Sequence, residues 1–352
     1  MKNRIKNKAE LESVNKNINK FAFDVDGTLV DDHFKLNKGV YAFIYEMLLK
    51  EKCQFMICTG SSYNKASKVV SMIKDEIVQN YKNGVEVAKQ FQPSIACYGG
   101  SVIVKNNRIV RDKRIERVDF DKIEKIVNQI DEKAIILLNK EDGMHYIEPK
   151  MISKDNLKIK FLQLLQATKG EGGFNTIGES AEDYYKLIDN NEIGSLEILS
   201  LSSSKNKAIT KALSESIADL TISAGTTIQV SNGSKLEAIK TCLGENVKKV
   251  LYVGDGYNDI PAMQEAGISF ALGKKVKVLE SADFAVENFE NITVAFVDSD
   301  YKFITYKSEV VLNEAKEAEE KKRAKKENST IKNAISKVKG SFSSKKQEER
   351  EM

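Results

Sequence analysis

The order of apolar runs along this 352-residue chain predicts an α/β fold: a doubly wound parallel sheet interrupted by an inserted α+β unit. Three observations carry the prediction. Strand-like runs alternate with helical patterns up to about Arg111, the alternation then breaks down, and it resumes from about Gly233. A βαβα order places parallel strands side by side with helices on both faces, so the two flanking segments read as one sheet split by an insertion.

The first strand is "KFAFDV", Lys20 to Val25, in which Phe21, Phe23 and Val25 alternate with Ala22 and Asp24; the glycine of the following "DGT" lets the chain turn. A helix over about Val40–Lys50, the strand "CQFMICTG", a helix over about Asn64–Val78 and the run "PSIACYGGSVIV" complete the first part. The insertion opens with a helix near Asp119–Ile130 and continues through strand-like "KAIILLN" and "MHYIEP" and helical "DNLKIKFLQLLQATK". A polar loop, strand-like "SLEILSL", helical "KNKAITKALSESIA" and the paired runs "LTISA" and "TTIQVS" follow. Alternation returns with helical "SKLEAIKTCL", strand "KKVLYVGDG", helical "NDIPAMQEAG", strand "ISFAL", a helix near Lys275–Ser281 and "DFAVE". The expected division is a Rossmann-like core over 18–111 and 223–310, an α+β cap over 112–222 and a charged tail over 311–352.

Composition narrows the chemistry. Residues 314–352 hold twelve Lys/Arg and eight Asp/Glu, which leaves 43 of each in the rest of the chain, so the body is neutral and no nucleic-acid partner is expected. The four cysteines form no Cys-x-x-Cys pair and read as reduced, buried thiols. With two histidines, His33 and His145, a His-rich metal site is excluded, and acid–base work falls to carboxylates. The basic N-terminus lacks a signal-peptide apolar segment, and no run approaches the ~20 apolar residues of a membrane span. The chain reads as soluble and cytoplasmic.

Attention therefore turns to acids at strand ends. In a doubly wound sheet, ligands bind outside the carboxyl ends of the strands. Asp24 and Asp26 close the first strand, Thr59 and Gly60 close "ICTG", Lys235 opens a helix, and "LYVGDGYNDI" supplies Asp255, Asn258 and Asp259. Singly, each has an ordinary reading: Thr59 a helix cap, Lys235 a surface lysine, Asp255-Gly256 a turn. Together they meet the needs of phosphoryl transfer: a nucleophile, a proton donor and positive charge around the transferred group. A phosphate ester entering beside four carboxylates meets repulsion of about 1 to 4 kcal/mol per like-charge contact at ~4 Å. A cation is required, and oxygen-only ligands point to Mg²⁺.

On the motifs "DVDGT" (Asp24–Thr28), "TG" (Thr59, Gly60), Lys235 and "GDGYND" (Gly254–Asp259), in this order, the chain resembles the haloacid dehalogenase-like superfamily, and within it the Cof-type phosphatases. The resemblance covers about residues 18–300 and places the insertion where that group carries its cap. It implies that Asp24 forms an aspartyl-phosphate and that Asp26 protonates the leaving alcohol and then activates water. It also implies that Thr28, Thr59 and Lys235 hold the phosphoryl oxygens, with Asn258 reaching the phosphoryl group or Lys235. Asp24, the Asp26 carbonyl and Asp255 would bind Mg²⁺, with Asp259 ligating it or orienting its water.

Three departures from the family pattern bear on the substrate: Ser61 in place of Arg, Gly99-Gly100 in place of Asn-Gly, and Lys274-Lys275 in place of Asn. The expected function is a Mg²⁺-dependent phosphatase of a small phosphorylated metabolite of the sugar phosphate, flavin mononucleotide or pyridoxal phosphate type. A sugar-phosphate mutase is the nearest alternative, and an inactive binding or scaffold protein the alternative of another class. His145 is expected to be a polar hairpin residue rather than one that reaches the substrate from the cap, and His33, just beyond the first motif, to be likewise without a role. In the tail, Ile331, Ala334, Ile335 and Val338 recur at helical spacing amid lysines, which suits a partner or an anionic membrane surface.

Overall fold

The computed structural model describes residues 5–50, 52–146, 175–176, 181–200, 202–224 and 227–348. Its strands are β1 (Lys20–Asp24), β2 (Gln54–Cys58), β3 (Ser94–Cys97), β4 (Val102–Lys105), β5 (Arg108–Asp112), β6 (Ile135–Lys140) and β7 (Gly143–Tyr146), followed by β8 (Asn175–Thr176), β9 (Ser195–Leu199), β10 (Thr221–Ala224), β11 (Ile228–Ser231), β12 (Val250–Gly254), β13 (Ile268–Ala271) and β14 (Phe284–Ala285). The helices are α1 (Lys8–Asn17), α2 (Val40–Leu48), α3 (Tyr63–Asn80), α4 (Gly84–Gln90), α5 (Arg117–Ile130) and α6 (Ala181–Asp189), then α7 (Ser203–Ser216), α8 (Lys235–Leu243), α9 (Ile260–Glu265), α10 (Val276–Ser281), α11 (Phe289–Val297) and α12 (Tyr301–Glu348).

Eight strands form one sheet in the order β14-β13-β12-β1-β2-β3-β4-β5. Neighbours are parallel from β14 to β3, and the β3-β4-β5 meander extends the edge in antiparallel fashion. The side-chain period of a strand sends Phe21 and Phe23 to one face of this sheet and Ala22 to the other. The first face packs with Phe43 and Phe289, and the second with Tyr252 and Ile239. Strand β1 lies between β12 and β2, so Asp24 stands beside Cys58 in register and near the end of β12. A second sheet, β10-β11-β9-β6-β7-β8, is antiparallel except between β7 and β8 and is backed by α5, α6 and α7 around Phe120, Leu196 and Ile209. The α/β core with a separate capping sheet is thus the architecture the alternation implies, although the cap sheet runs through β11 to Ser231, past the division expected at residue 222.

Several details differ from the sequence pattern. Helices α1, α4 and α11 and strand β5 carry patterns too short or too polar to stand out, and α6 occupies part of the expected polar loop by burying Tyr184 and Ile188. The expected helix over 155–169 lies outside the described residues. Helix α12 begins at Tyr301 and buries Val311, Leu312 and Ala315 against the core, so packing continues past the division expected at residue 310. Among the described residues no helix is long and apolar enough to cross a membrane.

Candidate active site

Of the residues singled out at the strand ends, five line one crevice of about 380 Å³ between the core and the cap, while Thr28, Thr59, Lys235 and Asp259 are buried and do not line it. Asp24, Asp26, Gly60, Asp255 and Asn258 line its core side, and Met144, Glu197, Thr227 and Gln229 its cap side. A groove of about 870 Å³ lies elsewhere, beside Leu36, Tyr41 and Met72, and holds none of these acids.

Lys235 is the hinge of the arrangement. It is the first residue of α8, placed by Ser234, whose hydroxyl accepts from the Glu237 amide as the helix cap. Its buried ammonium donates to Asp24 Oδ1 at 2.5 Å and to Asp259 Oδ1 at 2.6 Å. Burial alone would lower the affinity of this lysine for its proton, but the charges of Asp24 and Asp259 outweigh it and hold the ammonium well above the ordinary lysine range. Burial, and then repulsion from Asp259, pushes the Asp24 carboxyl up, against the opposing pull of Lys235. Further positive charge nearby would favour the ionised form of this buried carboxyl.

Asp259 is saturated. Its Oδ1 also accepts from the Tyr252 hydroxyl at 2.6 Å, and its Oδ2 accepts from the amides of Asp255 at 3.1 Å and Gly256 at 2.8 Å. Four donors use the whole acceptor capacity of a carboxylate. Asp259 therefore shapes the 255–256 turn and holds Lys235. Tyr252 was not singled out in the sequence, although a tyrosine in a central strand must find a partner for its hydroxyl.

One carboxylate oxygen from each of Asp24, Asp255 and Asp259 lies within 4.8 Å of the other two. The donor set fits a small hard cation, which favours carboxylate oxygens. Two further observations agree with a ligand-binding centre: the hydroxyl of Thr28 is buried without a protein partner, and a methyl group on Gly27 would come within 2.7 Å of the Asp255 carboxyl carbon. Gly27 also has φ of +79°, a backbone conformation that favours glycine.

Asp26 is part-exposed and turned toward a different lysine, whose Nζ stands 2.8 Å from its Oδ1: Lys65, on α3. Lys65 also donates to Ser61 Oγ at 3.3 Å, and Ser61 Oγ stands 3.4 Å from Asp26 Oδ2. Thr59 is fully buried and accepts from the Ser61 amide at 3.0 Å. Asn258 lines the crevice, while the acceptors of Lys235 are Asp24 and Asp259. Gly99 and Gly100 have positive φ, and side chains there would run into Ser231 and the Ser234 carbonyl, so they serve the close packing that delivers Lys235 rather than facing the substrate. His33 is exposed, and His145 bonds to Asp142 at 2.8 Å within the cap, leaving its neighbour Met144 to line the crevice.

The cap is held on the core by direct bonds. Gln229 Nε2 donates to the Gly60 carbonyl at 3.1 Å, and any side chain at residue 60 would meet that amide. Glu141 accepts from the Asn64 amide in the first turn of α3 at 2.8 Å and from the Tyr98 hydroxyl at 2.9 Å.

The sequence model of the haloacid dehalogenase-like hydrolases matches residues 21–291, which contain every one of these groups. The chain belongs to this hydrolase family. Solved structures of similar fold include a haloacid dehalogenase-like hydrolase from B. subtilis, at 17% identity and a TM-score of 0.60, covering 81% of this chain and 100% of that one. A sugar phosphatase of subclass IIB of the same superfamily aligns at 15% identity and a TM-score of 0.56, covering 81% of this chain and 99% of the other. A phosphatase of the superfamily from Bacteroides thetaiotaomicron aligns at 17% identity and a TM-score of 0.59, covering 82% and 96%. At these identities the likeness is one of fold, and it extends over both the core and the cap of this hydrolase.

Proposed function

We propose that this hydrolase is a Mg²⁺-dependent phosphatase of a small phosphorylated metabolite, working through an aspartyl-phosphate at Asp24. The observation that carries the reading is the bridge from Lys235 to Asp24 and Asp259, next to Asp255, at the floor of a capped crevice. Asp24, Asp255 and the Asp26 carbonyl would hold the metal, which supplies the positive charge that lets a phosphate dianion approach these acids. Asp259, with all its acceptors engaged, keeps the turn and Lys235 in place.

In the first step an Asp24 oxygen attacks phosphorus from the side opposite the ester oxygen. The ester P–O bond breaks, its electron pair leaves with the alcohol oxygen, and Asp26 delivers the proton. In the second step Asp26 takes a proton from water as the water oxygen attacks phosphorus. The bond between phosphorus and the Asp24 oxygen then breaks, which returns the carboxylate and releases inorganic phosphate. Lys235, with Thr28 and Thr59 at the adjacent strand ends, stabilises charge on the phosphoryl oxygens, and Asn258 contributes from the crevice wall.

The cap side of the crevice offers Glu197, Ser223, Thr227 and Gln229, and among the described residues no lysine or arginine lines it from the cap. Such a lining suits a hydroxylated leaving group and disfavours one with a second anionic charge. One structure of similar fold is that of a sugar phosphatase, which agrees with this reading.

The deciding experiment measures phosphate release from p-nitrophenyl phosphate and a panel of metabolite monophosphates. Parent protein should turn over with Mg²⁺ and stop with EDTA, and Asp24→Asn should be inactive, because a neutral amide is a poor nucleophile. Turnover by Asp24→Asn at the parent rate overturns the aspartyl-phosphate. Isomerisation of a hexose 1-phosphate without release of phosphate identifies a mutase instead.

A further inference from the structure

We propose that Lys275 is a tethered cation that competes with the divalent metal for Asp255, and so sets the metal concentration at which the site fills. The inference rests on the reading of Asp255 as a metal ligand. Lys275 Nζ donates to Asp255 Oδ2 and to the Asp255 backbone carbonyl, both at 3.1 Å. It therefore grips the residue at two points on the face that lines the crevice, and Lys275 itself is one of the lining residues.

The local structure explains how a lysine reaches there. Strand β13 ends at Ala271 beside Gly254 in register, and the chain turns back at Gly273, whose φ is +88°. Lys275 then precedes α10 as its cap residue. The turn brings the lysine stem alongside Asp255 without embedding it: the Lys275 side chain is 46% exposed, against 18% for Asp255 and 2% for Lys235. These two lysines consequently differ in kind. Lys235 is buried between two acids and cannot leave without stranding both charges. Lys275 sits at the rim, where its ammonium can return to water at small cost.

A metal ion that binds Asp255 must displace this ammonium or endure its repulsion. Either way apparent metal affinity falls while Lys275 is present. A displaced Lys275 stays in the crevice it lines, and its charge is then available to the substrate side. Where the ammonium is displaced, metal entry and lysine release are one event, because both draw on one carboxylate.

The test is isothermal titration of Mg²⁺ alone into the full-length protein, in low-salt buffer without substrate. Lys275→Gln should bind Mg²⁺ about three- to tenfold more tightly than the parent, the scale of a rim ion pair plus cation–cation repulsion. The gain should shrink as salt screens the pair. Lys275→Arg retains the charge and should stay near the parent. Lys274→Gln changes net charge equally but lacks the contact, and should tighten binding less than twofold. Equal affinity in the parent and Lys275→Gln, weaker binding in Lys275→Gln, or equal tightening by Lys274→Gln and Lys275→Gln overturns the competition. An absence of saturable Mg²⁺ binding in the parent and all three variants overturns the metal site itself, and this inference with it.

Discussion

Gly27 and Asp255 meet so closely that no methyl group fits between them: a Cβ on Gly27 would lie 2.7 Å from the Asp255 carboxyl carbon and 2.8 Å from its Oδ2. The two residues belong to different motifs, one after β1 and one after β12. Their contact is possible because β1 and β12 are parallel neighbours whose ends coincide.

Gly27→Ala should therefore cripple the site. The alanine must adopt a positive φ, at about 1 kcal/mol or more, and it must also push the Asp255 carboxylate out of line with Asp24. Phosphate release is expected to fall by at least ~100-fold, with a melting temperature lower by a few degrees. Parent-like turnover and melting would show that Asp255 can move freely, and that its position does not matter to the chemistry.

Glu141 should act as the latch of the cap. Its carboxylate receives the Asn64 amide at the positive end of α3 and the Tyr98 hydroxyl. Burial and the charge of Glu141 push the Tyr98 hydroxyl well above the ordinary tyrosine range, so it remains a donor at any working pH. Glu141→Ala removes two charge-assisted bonds, each worth about 1.5 to 3 kcal/mol in a shielded site and less at this partly exposed one. The expected result is a threefold to tenfold rise in KM for metabolite substrates, with faster hydrogen exchange at Asn64. Unchanged KM and exchange would mean that the cap is held elsewhere.

The cap also carries a pH signature. Asp131, which caps the C-terminal end of α5, accepts from Ser200 at 2.5 Å and from Lys205 at 2.9 Å, tying α5 to β9 and α7. Burial acts to raise its carboxyl, but these bonds and the Lys133 amide outweigh burial and hold it below the usual range. A depressed carboxyl stabilises the fold at pH values above its ordinary value of about 3.9, and that stabilisation is lost as pH falls through the lower folded value. Urea unfolding of the parent should thus weaken on acidification below about pH 4 more than unfolding of Asp131→Asn, which has no proton to gain. Identical acid sensitivity in the two proteins would remove Asp131 from the account.

How far the sequence reveals all this depends on which interactions are local. The period-2 run ending at Asp24 and the acid-rich turn after β12 are visible because strand alternation and turn residues leave their mark within a few positions. Tyr252 sits in a visible strand, yet its bond to Asp259 arises only when the chain folds back through the turn. Lys65 looks like a solvent-facing helix lysine, but it falls in register with Val69, Ile73 and Ile77 and is buried with them. Its partner Asp26 is 39 residues away, across β2, so only the three-dimensional fold explains why a charge occupies that stripe. Gly99 and Gly100 are expected near the substrate because they stand where the family pattern has Asn-Gly, whereas their tight contacts are with the segment that leads to Lys235.

The tail separates packing from charge pattern most directly. A run of lysines and glutamates from Asn313 onward suggests that the folded part ends near residue 310, yet Val311, Leu312 and Ala315 are buried on the same face of the sheet as Ile239 and Tyr252. Lys316 adds an ion pair with Glu280 on α10 at 2.9 Å, though both partners are half exposed and the pair contributes little. Removing residues 311–352 should cost several kcal/mol, since a fully buried Val or Leu contributes about 1.5 to 3 kcal/mol each. Removing residues 320–352 takes away none of these contacts and should leave both melting temperature and phosphate release at parent values. The two truncations, compared by thermal melting and by turnover, therefore bracket the end of the packed fold. Equal stability of both would return the boundary to residue 310, while loss of stability in the shorter truncation would show that the lysine-rich part of α12 is needed by the fold itself.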